Sequence, residues 1–170
     1  LELSMEPSSE GKFKNPDGSS ITTAVNLSFA QGHTGKSVQF NGLNSYLQTS
    51  IDFTGKRGVT VSMWVKPEKK ESEDLTVIFD NGHSANTDFV LQSADNSGEK
   101  WVWHCNGFDI LFQLPLNQWS QVTLTANAQL GRMKASVNGI PVGEEQMTKA
   151  FEFGASLLTF GRLTNAESRF

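Results

Sequence analysis

The feature that most constrains this chain is its punctuation. Along 170 residues, short runs of alternating apolar and polar side chains are broken about every ten residues by Asn, Asp, Gly, Pro and Ser. Residues 58–67, "GVTVSMWVKP", are the clearest case. Val59, Val61, Met63 and Val65 share one face at period two, and Thr60, Ser62, Trp64 and Lys66 share the other. Four apolar side chains on one side mark a face turned to a core. The charged stretch that follows, "EKKESED", reads as a solvated loop. "DFVLQS", "ADNSGE" and "KWVWHC" read as a hairpin with its turn, and residues 119–143 as a meander reversing at Asn127–Gly131 and again at Asn138–Gly139. "SLLTFGRL" supplies a last strand. Residues 11–24, "GKFKNPDGSSITTA", read as a loop, and residues 35–50 as a hairpin turning at Asn41–Gly42. No segment carries a helical period over ten or more residues. About a dozen short strands at this spacing predict an all-β chain, a sandwich or a barrel.

The length suits one domain, residues 1–170, with a core that needs no second unit. The single cysteine, Cys105, can form no internal disulfide, so the core alone must hold the fold. Fourteen basic residues against 18 acidic give no cationic field for phosphates, which argues against nucleic acid and anionic membrane as partners. No apolar run approaches the ~18–20 residues that span a bilayer, and no membrane insertion is expected.

Four landmarks in order resemble the laminin G-like, or concanavalin A-like, domain found in bacterial surface proteins and related to pentraxins. They are "GKSVQFNGLNSYLQTS", "GVTVSMWVKP", "LPLNQWSQVTLTANAQLGRMKASVNGIPVG" and "LLTFGRL". The resemblance runs from about Leu1 to Arg162 and implies a two-sheet antiparallel β-sandwich, the jelly roll. Two departures stand out. The final residues, "NAESRF", do not match the family's closing strand, which is expected either to lie outside this sequence or to be absent. Asn41, Asn44 and Ser45 stand where many members carry acidic residues, which weakens any metal ligation there. Trp64 and Trp119 fill positions at which the family carries an aromatic, and the resemblance implies that both pack between the sheets.

Catalysis finds no support in the residues. A retaining glycosidase of this fold needs two carboxylates ~5–5.5 Å apart, but Glu71 and Glu73 lie in the charged loop and Glu144–Glu145 follow a turn glycine. A lyase needs a Tyr or His base beside a group that neutralises a uronate. Tyr46 occupies a structural position of the family, and the arginines are scattered. The chain is read as no enzyme.

Recognition is the better class, and two candidate surfaces present themselves. One is the loop "DNGHSANTD", in which Asp80, Asn81, His83, Asn86 and Asp88 offer oxygens and an imidazole to sugar hydroxyls. Asp80 and Asp88 would be the charged ligands of calcium, bound weakly or not at all, since two carboxylates are few for this ion. No other cofactor is implied. The other surface is the face of Trp101, Trp103 and Cys105, which reads as core if another sheet covers it and as a stacking platform for sugar rings if none does. The resulting expectation is a recognition domain for glycans or a cell-surface protein partner, in a secreted or surface-exposed bacterial protein of larger size. The alternative is a structural spacer domain in a surface assembly.

Overall fold

A computed structural model describes residues 21–68, 76–82, 89–148, 150–154 and 156–163. Among the described residues thirteen strands follow one another: β1 (Ile21–Val25), β2 (Ser28–Gln31), β3 (Lys36–Gln39), β4 (Tyr46–Asp52), β5 (Gly58–Val65), β6 (Val77–Asp80), β7 (Phe89–Ser93), β8 (Lys100–Cys105), β9 (Phe108–Gln113), β10 (Ser120–Asn127), β11 (Arg132–Val137), β12 (Ile140–Gln146) and β13 (Leu157–Phe160). Every pairing is antiparallel. Seven strands form one sheet in the order β1-β4-β13-β6-β7-β8-β9, four form a second in the order β12-β11-β10-β5, and β2 with β3 makes a separate ribbon. Of the sandwich or barrel that the alternation predicts, this is the sandwich, with the two antiparallel sheets of the jelly roll that the resemblance implies.

Register explains the core. Leu47, Phe160, Phe79, Leu91, Trp103 and Ile110 are successive cross-strand partners on β4, β13, β6, β7, β8 and β9, so one row of large side chains crosses six strands. All six are buried. Val122, Leu124 and Ala126 of β10, with Met133 and Ala135 of β11, meet them from the smaller sheet. The apolar face of β5 packs on the same core at its margin, and Val59, Val61, Met63 and Val65 are half-buried. Phe53, Phe89, Phe153 and Trp103 add edge-to-face contacts with ring centroids 5.5–5.8 Å apart, an arrangement the ring quadrupole favours.

Three local expectations need correction. Residues 35–50 are no hairpin: β3 pairs back with β2, and β4 pairs with β1 and β13. Between them Asn41 organises a loop of its own, its Oδ1 accepting hydrogen bonds from the backbone N–H groups of Leu43, Asn44 and Ser45 at 2.9, 3.0 and 3.1 Å. A side chain that satisfies three amides closes a wider loop than the two-residue turn that Asn-Gly suggests. Residues 21–24 belong to β1 rather than to a loop, because β4 offers them a ladder that local propensity cannot see. Glu144 and Glu145 lie in β12, which extends beyond its turn to Gln146. The reversals β7–β8, β10–β11 and β11–β12 stand as expected, the last with Asn138 at φ 51° and Gly139 at φ 77°, the conformation that tight hairpins require.

Candidate functional site

The four tryptophans divide unlike their expected roles. Trp103 is wholly buried, set edge-on to Phe89 at 5.5 Å, and Trp101 is 3% exposed with its Nε1–H donating to the Gly98 carbonyl at 3.1 Å. Both share the inner face of β8 with Cys105, so neither offers a ring to a ligand, and the stacking platform on this face is corrected to core. Trp64, implied to pack between sheets, is instead 43% exposed on the outer face of β5. Trp119 is half-buried, with the Lys66 ammonium 5.9 Å from its ring centroid, in reach of a cation–π interaction.

The loop candidate is only partly visible. Asp80 ends β6 and Asn81 follows it, and both are wholly buried rather than displayed on a loop. The Asn81 N–H donates to the Phe89 carbonyl at 3.0 Å and its Nδ2 to the Ser156 carbonyl, while its buried Oδ1 has no partner. His83, Asn86 and Asp88 lie outside the described residues. The structure therefore places Asp80 and Asn81 beneath the surface at this end of the sheet. Calcium takes ~6–8 oxygens, and among the described residues no group of three or more His, Cys, Asp or Glu side chains gathers to hold a metal.

Among the described residues a further candidate surface is the outer face of the four-stranded sheet. Its rows follow from register. Trp64 faces Gln121, Ser62 faces Thr123, Thr60 faces Thr125, and the last two rows continue onto Ser136 and onto Lys134 with Glu144. Hydroxyls pair across the strands, Ser62 with Thr123 at 3.0 Å and Thr60 with Thr125 at 3.1 Å. At one end the His33 imidazole lies flat on the Trp64 indole, centroids 3.6 Å apart and planes 7° from parallel. At the other end Glu144 is clasped by Lys134 at 3.1 Å and by Arg132. Aromatic rings beside a ladder of hydroxyls and an amide can stack on the C–H face of a sugar and hydrogen-bond its rim.

Three surface carboxylates, Glu144, Asp52 and Asp95, are held in their charged form by their neighbours. Lys134, and after it Arg132, hold Glu144 below its ordinary range. The Thr54 hydroxyl and amide, at 2.6 and 2.8 Å, do the same for Asp52, and Ser97 with Lys100 for Asp95. A glycosidase acid needs the opposite, a carboxyl pushed up so that it keeps its proton near neutrality. Because these folded-state values are depressed, what they add to stability is fully present above the usual carboxylate range and is lost as pH falls through the lowered values. In Lys134→Ala, the Glu144 titration followed by carboxyl carbon NMR should move up toward its ordinary range; an unmoved titration would show that the ion pair does not form in solution.

A pocket between Pro67, Thr76, Ser93, Asp95, Gly98 and Trp101 has a volume of about 60 Å³, far below the ~300–1,000 Å³ of small-molecule sites. That pocket is not the candidate site; the broad face of the four-stranded sheet is.

Solved structures share this fold. The receptor binding domain of botulinum neurotoxin D superposes with a TM-score of 0.72 at 17% identity, covering 94% of this chain and 43% of that one. The type G receptor binding domain gives 0.64 at 14%, covering 89% and 40%. A structure of botulinum neurotoxin type C, a toxin described as dependent on interaction with two ganglioside molecules to enter cells, gives 0.64 at 12%, covering 99% and 44%. The chain thus spans about two fifths of the length of these structures. No curated protein matches it in sequence. The Laminin G 3 family model, described as the concanavalin A-like lectin/glucanases superfamily, matches residues 40–170, and the chain belongs to that family.

Proposed function

We propose that this domain is a non-catalytic recognition module that binds glycans of a cell surface through the outer face of its four-stranded sheet, within a larger exported bacterial protein. The observation that carries this reading is Trp64: a large aromatic ring 43% exposed on an open sheet face, bordered by Gln121 and the Ser62–Thr123 hydroxyl pair. Burying such a ring against a ligand recovers apolar area, and the neighbouring hydroxyls and amide supply direction. The family and the receptor-binding structures that share its fold support the class. A glycan array, run with and without calcium because His83, Asn86 and Asp88 remain a proposed second contact region, should give hits that Trp64→Ala weakens roughly 5- to 100-fold, the worth of one stacked ring. The variant should melt close to the unmutated protein, since the ring lies outside the core. A blank array from a folded protein would favour the spacer reading, and cleavage of a polysaccharide by the pure protein would overturn both.

A further inference from the structure

Resting on that reading of the same face, we propose that His33 is a built-in occupant of the site. Its imidazole covers the side of Trp64 on which a sugar would stack, and the turn between β2 and β3 is a lid that the glycan displaces.

The geometry is that of a bound flat ligand. Two rings 3.6 Å apart and 7° from parallel leave no room for a third between them. The stack joins two exposed side chains from separate parts of the fold, the β2–β3 turn and the outer face of β5. The turn itself is tight: the Gly32 N–H donates to the Gly35 carbonyl at 3.0 Å, and Gly35 sits at φ 65°, where a side chain would be strained. His33 therefore moves with the turn as a unit, its Nδ1 also within 3.3 Å of the Thr34 hydroxyl.

The ribbon that carries this turn is weakly held. All four residues of β2 are exposed and none of β3 is buried. Leu27, Val38 of β3 and Phe40 pack against the core, and in the turn only Gly32 is buried, while His33, Thr34 and Gly35 are exposed. A two-stranded ribbon has little stability of its own, and segments with few buried side chains are those that open locally. A sugar with an unbroken C–H face can replace the imidazole, whereas one whose hydroxyls interrupt that face cannot match its contact. The lid would thus set a threshold for which glycans bind.

Trading one ring contact for another should lower apparent affinity by about 2- to 10-fold. The test compares unmutated protein, His33→Ala and Trp64→Ala on one glycan array, with titration of any hit, and follows the His33 ring protons by NMR. Expected are an upfield ring-current shift of the His33 protons in the unliganded protein, its loss when the hit glycan is added, and about 2- to 10-fold tighter binding by His33→Ala. Binding by His33→Ala alone would be the strongest form of support. Equal or weaker binding by His33→Ala would overturn the lid while leaving the glycan reading intact. An absent ring-current shift in the unliganded protein would overturn the lid regardless of any array. If neither protein binds any glycan, the reading of the face and the lid fall together.

Discussion

Trp103→Ala should destabilise the domain by about 3–5 kcal/mol, the usual cost of deleting a buried aromatic. Set against a total stability of about 5–15 kcal/mol for a domain, this is a large share, and at the low end of that range it unfolds the variant. The ring is wholly buried in the row that links Leu91 to Ile110, and it supplies one edge-to-face contact to Phe89. Its removal opens a cavity between two sheets whose backbone is fixed by ladders on both sides, so the hole cannot collapse. Trp103→Phe should cost less. It keeps an aromatic ring in the row and removes an indole N–H that is buried without a protein partner. Urea denaturation of the two variants measures both. A Trp103→Ala protein within about 1 kcal/mol of the unmutated one would return this tryptophan to the list of candidate ligand contacts.

Gly161→Ala is the second change with a large expected effect, about 2–3 kcal/mol of destabilisation. Gly161 follows β13 at φ 83°, a conformation that L side chains rarely adopt, and its N–H donates to the Ile78 carbonyl at 3.1 Å. An added methyl would lie 2.6 Å from Phe40 Cδ1 and 2.8 Å from the Ser45 carbonyl oxygen. The Phe40 ring can swing aside, but the backbone carbonyl of Ser45 cannot move without disturbing the entrance to β4. The strain therefore falls on the loop that connects the β2–β3 ribbon to the larger sheet. Thermal melting checks the prediction; an unchanged midpoint would mean that residues 40–45 pack elsewhere in solution. Gly42, also at positive φ, makes the contrast, since nothing lies within 4 Å of an added Cβ there and Gly42→Ala should cost only the backbone strain.

Much of the fold was legible because strands and turns are local. The alternation of β5, β7, β8 and β10 and the reversals at 127–131 and 138–139 can be read directly from spacing. What misled was proximity: β3 and β4 are neighbours in sequence on either side of an Asn-Gly, yet their partners are β2 on one side and β1 and β13 on the other. Pairing between Thr159 and Gln48 joins residues more than a hundred positions apart, and no local signal encodes it.

The candidate site was legible in one respect and missed in another. Parity alone set Trp64 with Thr60, Ser62 and Lys66 on the side opposite four apolar residues, which is the signature of an exposed ring. Resemblance to a family that keeps an aromatic there pointed inward instead, and the parity proved the better guide. His33 carried no sequence signal. Its stack with Trp64 depends on where the β2–β3 turn lies relative to β5, across about thirty residues of chain.

By itself, then, the sequence determined that this chain makes short antiparallel strands, where most of them turn, and which residues of each strand share a face. Only the tertiary structure decided which of those faces meets another sheet. Period two divides a strand into two sides but carries no label for inside, and β8 shows the ambiguity in full: Trp101, Trp103 and Cys105 on one side, Val102 and His104 on the other. Stacking the smaller sheet over the first side turned two tryptophans into core. The outer side of β5, turned away from the larger sheet, kept Trp64 in contact with solvent beside the β2–β3 turn, where burial energy remains to be gained by a ligand.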